Sequence, residues 1–504
     1  LQVTRIVLDS AYPIAKVDPR IFGGFLEHLG RGIYDGIYQP RSAKADANGF
    51  RKDVLEALRG LNFTAMRYPG GSFVSGYHWL DGIGPRERRP TVRELAWQSI
   101  EPNQIGTDEF MSLSKQMKWT PMLSVNLGTG SPEEARNWVE YCNCPVGTRF
   151  ADLRAENGSK DPYSVKLWCL GNEVDGEWQI GHLPAQPYAI LAQQAAKMMK
   201  DTDPSIETVA SGSSKMSGAT YLEWDRTVLE ALGPYADYIG LHRYVGNPND
   251  DTVDYLAEPR SVDLRIEHME AVCRIVQART HSKKRHGLCF DEWNVWYRHM
   301  RAEDTDGKGK FAPALIEEEY NLEDALVMAG FLNSFIRHAD SVKIANLAQI
   351  VNVIAPIRTR GDEILLQSIY YPFAMMSRRR DGTAIRPVVL GPGYETHTYG
   401  HVNFVDASAI LGDGLLHAFL INRSTDEPAE IEIDPAGARI EGVDSAEIFS
   451  GTDPKAQNTF ENPGQILSRP FRAVKIADGK ALVRLPPLSF AAVSLRVGPG
   501  GRNA

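Results

Sequence analysis

Eight short apolar runs, each ending in a polar or glycine-containing turn and followed by helical periodicity, organise the first 350 residues of this chain. They are Ile21–Glu27, Thr64–Tyr68, Pro121–Asn126, Lys166–Gly171, Thr208–Ser211, Tyr238–His242, Gly287–Asp291 and Ile344–Ile350. Between them, Phe50, Val54, Leu55, Leu58 and Leu61 share one face at three- and four-residue spacing. The stretch Pro187–Lys200 opens with proline in its first turn, and Leu322–Phe335 has acids near its start and Arg337 and His338 near its end. Strands alternating with helices predict an α/β fold, and eight of them predict a closed (β/α)8 TIM barrel. An open doubly wound sheet usually carries a Gly-rich phosphate turn after its first strand; here Gly128-Thr-Gly130 follows the third run and reads as a plain turn.

The pattern changes near Arg378–Asp381. Helical periodicity stops, and alternating runs such as Gly414–Ile421, Ala429–Ile433 and Phe490–Val497 are separated by Gly, Pro and Asn/Asp turns. This predicts a C-terminal antiparallel β-sandwich of jelly-roll type. Val3–Leu8 alternates in the same way, and chain termini often lie close together, so an N-terminal strand is expected to join that sandwich. The expected organisation is residues 1–17 as that strand, 18–380 as the barrel and 381–504 as the sandwich, with a mobile tail from Gly498 on.

Composition narrows the partners. The 504 residues carry a net charge of −9 with no basic stripe, which excludes a nucleic-acid partner, and no membrane-spanning run is visible. Hydrophobic residues at 43% supply a full core. Five cysteines, an odd number, suit a reduced cytoplasmic protein without disulfides; Cys169 and Cys289 sit in apolar runs and read as buried small hydrophobes. Cys142-Asn-Cys144 lacks a second pair at zinc spacing, and the twelve histidines form no H-E-x-x-H, so neither metal nor cofactor is expected.

In such barrels chemistry gathers at the C-terminal ends of the strands. Those ends present Glu27-His28, Arg67-Tyr68, Asn126, Asn172-Glu173, Ser211, His242 with Tyr244, Glu292-Trp-Asn294, and Asn346 with Gln349. A lone glutamate at a strand end is an ordinary capping or solvated residue. Glu173 and Glu292, however, close the fourth and seventh strands, which face one another across a barrel mouth. Hydrolysis of a glycosidic bond with retention needs two carboxyls about 5 Å apart on opposite sides of the anomeric carbon.

Glu173 and Glu292 in these positions resemble the retaining barrel glycosidases. More narrowly, Gly23-Gly-Phe-Leu-Glu27-His28, Arg67-Tyr-Pro-Gly-Gly71, Val74-Ser-Gly-Tyr-His-Trp79, Gly171-Asn-Glu-Val-Asp-Gly-Glu-Trp-Gln-Ile-Gly-His182 and Phe290-Asp-Glu-Trp-Asn-Val-Trp-Tyr297 resemble α-L-arabinofuranosidases of glycoside hydrolase family 51. The resemblance spans residues 5 to 495, nearly the whole chain. It implies Glu292 as nucleophile, kept ionised by Arg67 and hydrogen-bonded by Tyr244, and Glu173 as general acid, kept neutral by the charge of Glu292. His242 either tunes Glu173 or is simply packed there. Asn172 is implied at the sugar 2-hydroxyl and Glu27 and Gln349 at other hydroxyls. The Gly70-Gly71-Ser72 turn would let backbone approach the ring closely. Ser72 stands where the family often has Asn or Cys, so its side chain is not implied as a contact. Trp178 and Trp296 are expected to wall the site, and Trp293 to be core.

The expected activity is that of a retaining, exo-acting α-L-arabinofuranosidase on arabinoxylan, arabinan or arabino-oligosaccharides. The alternatives are the same machinery on β-1,4-glucan or another furanoside, and a non-catalytic carbohydrate-binding barrel. The loop Asn247–Arg260 is the candidate for closing the site beyond the first sugar. The resemblance also implies a homo-oligomer, often a hexamer in the family.

Overall fold

The computed structural model describes residues 3–499. The tail expected to be mobile lies, from residue 500 on, outside the described residues. All eight expected strands form and close a parallel barrel in sequence order: Gly23–Phe25, Ala65–Tyr68, Thr120–Val125, Leu167–Leu170, Glu207–Ala210, Tyr238–Val245, Gly287–Val295 and Val342–Ala348. The first is shorter than expected, because Pro19–Phe22 turns as a 3₁₀ helix before it. The sixth and seventh run further, so Glu292 lies within its strand rather than beyond it. Pairing of the seventh strand slips between Cys289 and Glu292 on one side and between Phe290 and Trp293 on the other. Such irregularities re-aim side chains, and here they fall at Asp291 and Glu292. Lower in the barrel, Cys169, Cys289, Met122, Leu167, Val209 and Ile344 pack as one interior cluster. That is how both cysteines come to be buried.

Beyond the last barrel helix, Tyr370–Ser377, a ten-stranded sheet begins at Thr383. The N-terminal strand Thr4–Lys16 joins it, antiparallel to Thr383–Leu390 and parallel to Ala429–Asp434, so the sheet is not wholly antiparallel. The sheet curls until the Ile440 N–H reaches Gly479 O, enclosing Ile6, Leu8, Ile433, Val483 and Leu495. Helix Leu322–Arg337 forms the seam between the two bodies. Its residues from Leu322 to Ile336 are all buried, as an almost uniformly apolar helix demands, and Asn321 and Asp324 cap its start reciprocally. At its end the Arg337 guanidinium donates to Asp263 on the barrel side at 3.0 Å and to Asp406 in the sheet at 3.0 Å.

The loop Asn247–Arg260 is stapled to turns and connections of the C-terminal body. Thr398 donates to Asp254, the Tyr399 hydroxyl to Glu258, and Lys455 to Glu323, which also accepts from Asn247 and Thr252. No helix of the described residues is long and apolar enough to cross a membrane. All five cysteines are free.

Candidate active site

The barrel mouth opens into a cavity of about 990 Å³ whose lining includes Glu27, Glu173, Trp178, His242, Glu292 and Gln349. Its floor is organised by one cation. Arg67, fully buried at the end of the second strand, donates from Nη1 to Glu292 Oε1 and from Nη2 to Asn172 Oδ1, both at 2.7 Å. Its guanidinium also lies 3.4 Å from Asp291 and over the Phe25 ring. The Tyr244 hydroxyl donates to Glu292 Oε2 at 2.8 Å, so each oxygen of that carboxylate has a donor.

Because a guanidinium only donates, the Arg67 contact fixes Oδ1 of Asn172 and leaves Nδ2 pointing elsewhere. That buried Nδ2 has no protein acceptor. A sugar hydroxyl is the partner that would satisfy it.

His242 ties the carboxylates together. Its Nδ1 lies 2.8 Å from Glu173 Oε1 and 3.4 Å from Glu292 Oε2, and its Nε2 lies 3.4 Å from Asp291 Oδ1. Burial pulls the imidazole pKa down, but the charges of Glu292 and Asp291 and the bond to Glu173 hold it well above the usual range. These neighbours favour its protonated form. Burial pushes Glu292 up, with Glu173 and Asp291 adding and His242 and Arg67 opposing, and the net displacement is upward. Glu173 is also pushed up by burial, but His242, the Trp178 N–H and Arg67 outweigh that and bring it down. In the free site the bias therefore runs opposite to an ionised Glu292 facing a neutral Glu173. One atom each of Glu173, His242 and Glu292 lies within 4.8 Å of the others, a spacing a metal ion can span.

Glu27 and Gln349 form the closed end. The Gln349 amide pairs with Glu27 twice, donating to its Oε2 and accepting from its backbone N–H, both at 3.1 Å. Glu27 Oε1 accepts from the Phe73 N–H and from Trp97 Nε1. Burial first, and then the charge of Glu292, push its pKa to about 8. A Cβ at Gly71 would lie 2.8 Å from both Glu27 oxygens, so the glycine at that turn is required by Glu27. Ser72 donates to Gln179 Oε1 at 3.0 Å and lines the cavity. Trp296 also lines it, packed edge-on to Tyr244 at 5.4 Å.

Several strand-end groups turn away. His28 stacks on Phe73 and bonds Glu101 and Tyr68, Asn126 ties down its own turn, and Asn294 braces the Ala348 and Ile354 carbonyls. Asn346 is buried inside the barrel against Gly23. Trp293 packs in the core on Phe331 and Phe335. Trp97 is a site residue that motif reading passes over. Its signal is the long, mostly irregular connection from Tyr68 to the helix at Thr107, of a length usually kept for function.

The sequence profile described as "Alpha-L-arabinofuranosidase 1 domain" matches residues 57–258, and that of the "Alpha-L-arabinofuranosidase C-terminal domain" matches residues 291–489. The chain is 41% identical over 499 residues to an intracellular exo-α-(1→5)-L-arabinofuranosidase 1 of Bacillus subtilis (strain 168), covering 98% of this chain and 99% of that one. It superposes on a family 51 α-L-arabinofuranosidase from Bifidobacterium longum with a TM-score of 0.94 at 35% identity, over 98% of this chain and 100% of that one. The chain belongs to the α-L-arabinofuranosidases of glycoside hydrolase family 51. As a family 51 member it also matches the arabinose complex of the Thermotoga maritima enzyme, with a TM-score of 0.87 at 33% identity over 97% and 99% of the two chains. An exo-α-(1→6)-L-arabinofuranosidase of Bifidobacterium longum is 39% identical to it, over 98% of each chain. Family 51 relatives named for two different linkages thus stand about equally near.

Proposed function

We propose that this chain releases terminal α-L-arabinofuranose from arabinose-containing glycans by double displacement, with Glu292 as nucleophile and Glu173 as acid and base. The observation that carries the reading is the approach of the Glu173 and Glu292 carboxylate oxygens to within 4.8 Å. Inverting pairs stand about 6.5–9.5 Å apart to admit a water, and retaining pairs about 5 Å. Glu292 attacks C1 while Glu173 protonates the departing oxygen. Glu173 then takes a proton from the water that opens the ester. Asn172 Nδ2 is assigned to the 2-hydroxyl, where a bond that tightens in the oxocarbenium-like transition state lowers the barrier.

Exo action is supported by relatives named for it and by the paired Glu27, Gln349 and Trp97 in the cavity wall, which offer polar groups for a terminal sugar. The relatives' names and five free cysteines support an intracellular site of action, on side chains of arabinoxylan or arabinan or on arabino-oligosaccharides. A homo-oligomer, a hexamer by family resemblance, is read out by light scattering on the purified protein. The activity itself is tested with a chromogenic α-L-arabinofuranoside alongside soluble cellulose. Hydrolysis of the cellulose without release from the arabinofuranoside would sink the reading.

A further inference from the structure

Both oxygens of the Glu173 carboxylate already accept hydrogen bonds: Oε1 from His242 Nδ1 and Oε2 from Trp178 Nε1, each at 2.8 Å. A carboxyl group that must give a proton away is poorly served by two donors pointed at it. For Glu173 to hold a proton, one of them has to withdraw.

The two donors differ in freedom. His242 is buried in the sixth strand and faces Asp291 and Glu292 as well, so it stays. Trp178 is 50% exposed, sits in a segment of turns after the fourth strand, and lines the cavity beside Glu173, within reach of an aglycone bonded to that acid. Its ring lies over Gly176, where a Cβ would come within 2.5 Å of it. Lys215 Nζ stands 4.0 Å from the ring centroid, and a cation over the face draws density from the indole and makes its N–H a stronger donor.

We propose that Trp178 is a latch on Glu173. Its N–H holds the carboxylate form until an aglycone displaces the indole and leaves Oε2 to take a proton. The latch rests on the acid–base role proposed for Glu173 above. On binding, Oε2 gains a proton from solvent. That proton passes to the glycosidic oxygen as the C1–O bond breaks and the Glu292–C1 ester forms. Once the alcohol leaves, the indole returns and favours the carboxylate, which accepts a proton from water as the water oxygen bonds C1 and the ester breaks. The donor is thus absent when an acid is needed and present when a base is needed.

Other charged and titratable groups face Glu173 from every neighbouring element: Arg67 on the second strand, His242 and Tyr244 on the sixth, Asp291 and Glu292 on the seventh, Asp175 on its own turn and Lys215 after the fifth. All but Lys215 are held by protein hydrogen bonds or buried ion pairs. Trp178 is therefore the donor to Glu173 that an aglycone can move.

The test is the pH dependence of α-1,5-linked arabinobiose hydrolysis, whose alcohol leaving group requires protonation, in the parent, Trp178→Phe, Lys215→Ala and Glu173→Ala. The limb of kcat/KM that disappears in Glu173→Ala reports Glu173 in the free enzyme, and the matching limb of kcat reports it in the complex. In Trp178→Phe the kcat/KM limb is expected about one pH unit higher, while the kcat limb coincides with the parent's. Lys215→Ala moves the first limb the same way by less. A kcat/KM limb that stays in place, or two limbs that move together, overturns the latch. A Glu173→Ala profile that keeps every limb of the parent's instead overturns the acid–base assignment beneath it.

Discussion

Arg67 and Glu292 form a buried ion pair across the barrel floor, Nη1 to Oε1 at 2.7 Å, with neither side chain more than 8% exposed. Removing one partner of such a pair leaves an uncompensated buried charge, a change that costs about 3–5 kcal/mol. Arg67→Gln is therefore expected to lower thermal stability. It should also lower kcat/KM by at least about a hundredfold, equivalent to roughly 2.7 kcal/mol. Because Arg67 pulls the pKa of both Glu292 and Glu173 down, its loss moves both limbs of kcat/KM, the acidic one included, to higher pH. An unmoved acidic limb in a pH–rate profile would contradict this role.

Tyr244 supplies the other donor to Glu292 and packs edge-on to Trp296. Tyr244→Phe keeps the packing and deletes one hydrogen bond to a charged acceptor. A loss of about 1.5–3 kcal/mol in transition-state stabilisation follows, or roughly ten- to a hundredfold in kcat/KM. Calorimetry should find the melting temperature nearly unchanged, and a large fall would assign Tyr244 to structure.

Glu27 is a buried acid whose folded pKa, about 8, lies above its ordinary value near 4.5. The unfolded chain gives up this proton first as pH rises. Stability is thus fully present below the ordinary value and is lost between it and about 8. Melting temperature is expected to fall across that window in the parent and to fall less in Glu27→Gln, which cannot ionise. Parallel curves would remove Glu27 from the account. The same substitution should weaken arabinose binding, because Oε1 and Oε2 fix both Gln349 and Trp97.

Arg337 joins the two bodies through Asp263 and Asp406. Arg337→Met deletes the cation shared by Asp263 and Asp406 but leaves His338 beside the first and Arg423 beside the second. The expected cost in unfolding free energy therefore stays below that of a wholly unpaired buried charge, about 3–5 kcal/mol. Denaturant titration reads this directly. Neither Arg337 nor the side chains it bonds line the cavity, so activity per folded molecule should be kept.

The barrel was legible because each strand is a local apolar run and each catalytic candidate follows one immediately. Glu173, Glu292 and Arg67 could be placed from strand ends alone. What stayed hidden depends on contacts between distant segments. The slipped pairing at Asp291–Glu292 arises from two neighbouring strands, and no local pattern announces it. Gly71 reads as room for a sugar and proves to be room for Glu27. Trp97 arrives from an irregular connection held by the buried bonds of His28 and Tyr34 to Glu101. The N-terminal strand was expected in the sheet, but its parallel partner, Ala429–Asp434, lies more than 400 residues away.

The claim at the centre is that Glu292 attacks and Glu173 assists, giving two inversions at C1. Proton NMR of the sugar released from an aryl α-L-arabinofuranoside, recorded before mutarotation, tests it most directly. Glu173→Ala with added azide serves as the companion reaction. The account predicts that α-L-arabinofuranose appears first, and that azide restores turnover in the variant on an activated substrate by trapping the ester without a base. First appearance of the β anomer would contradict it.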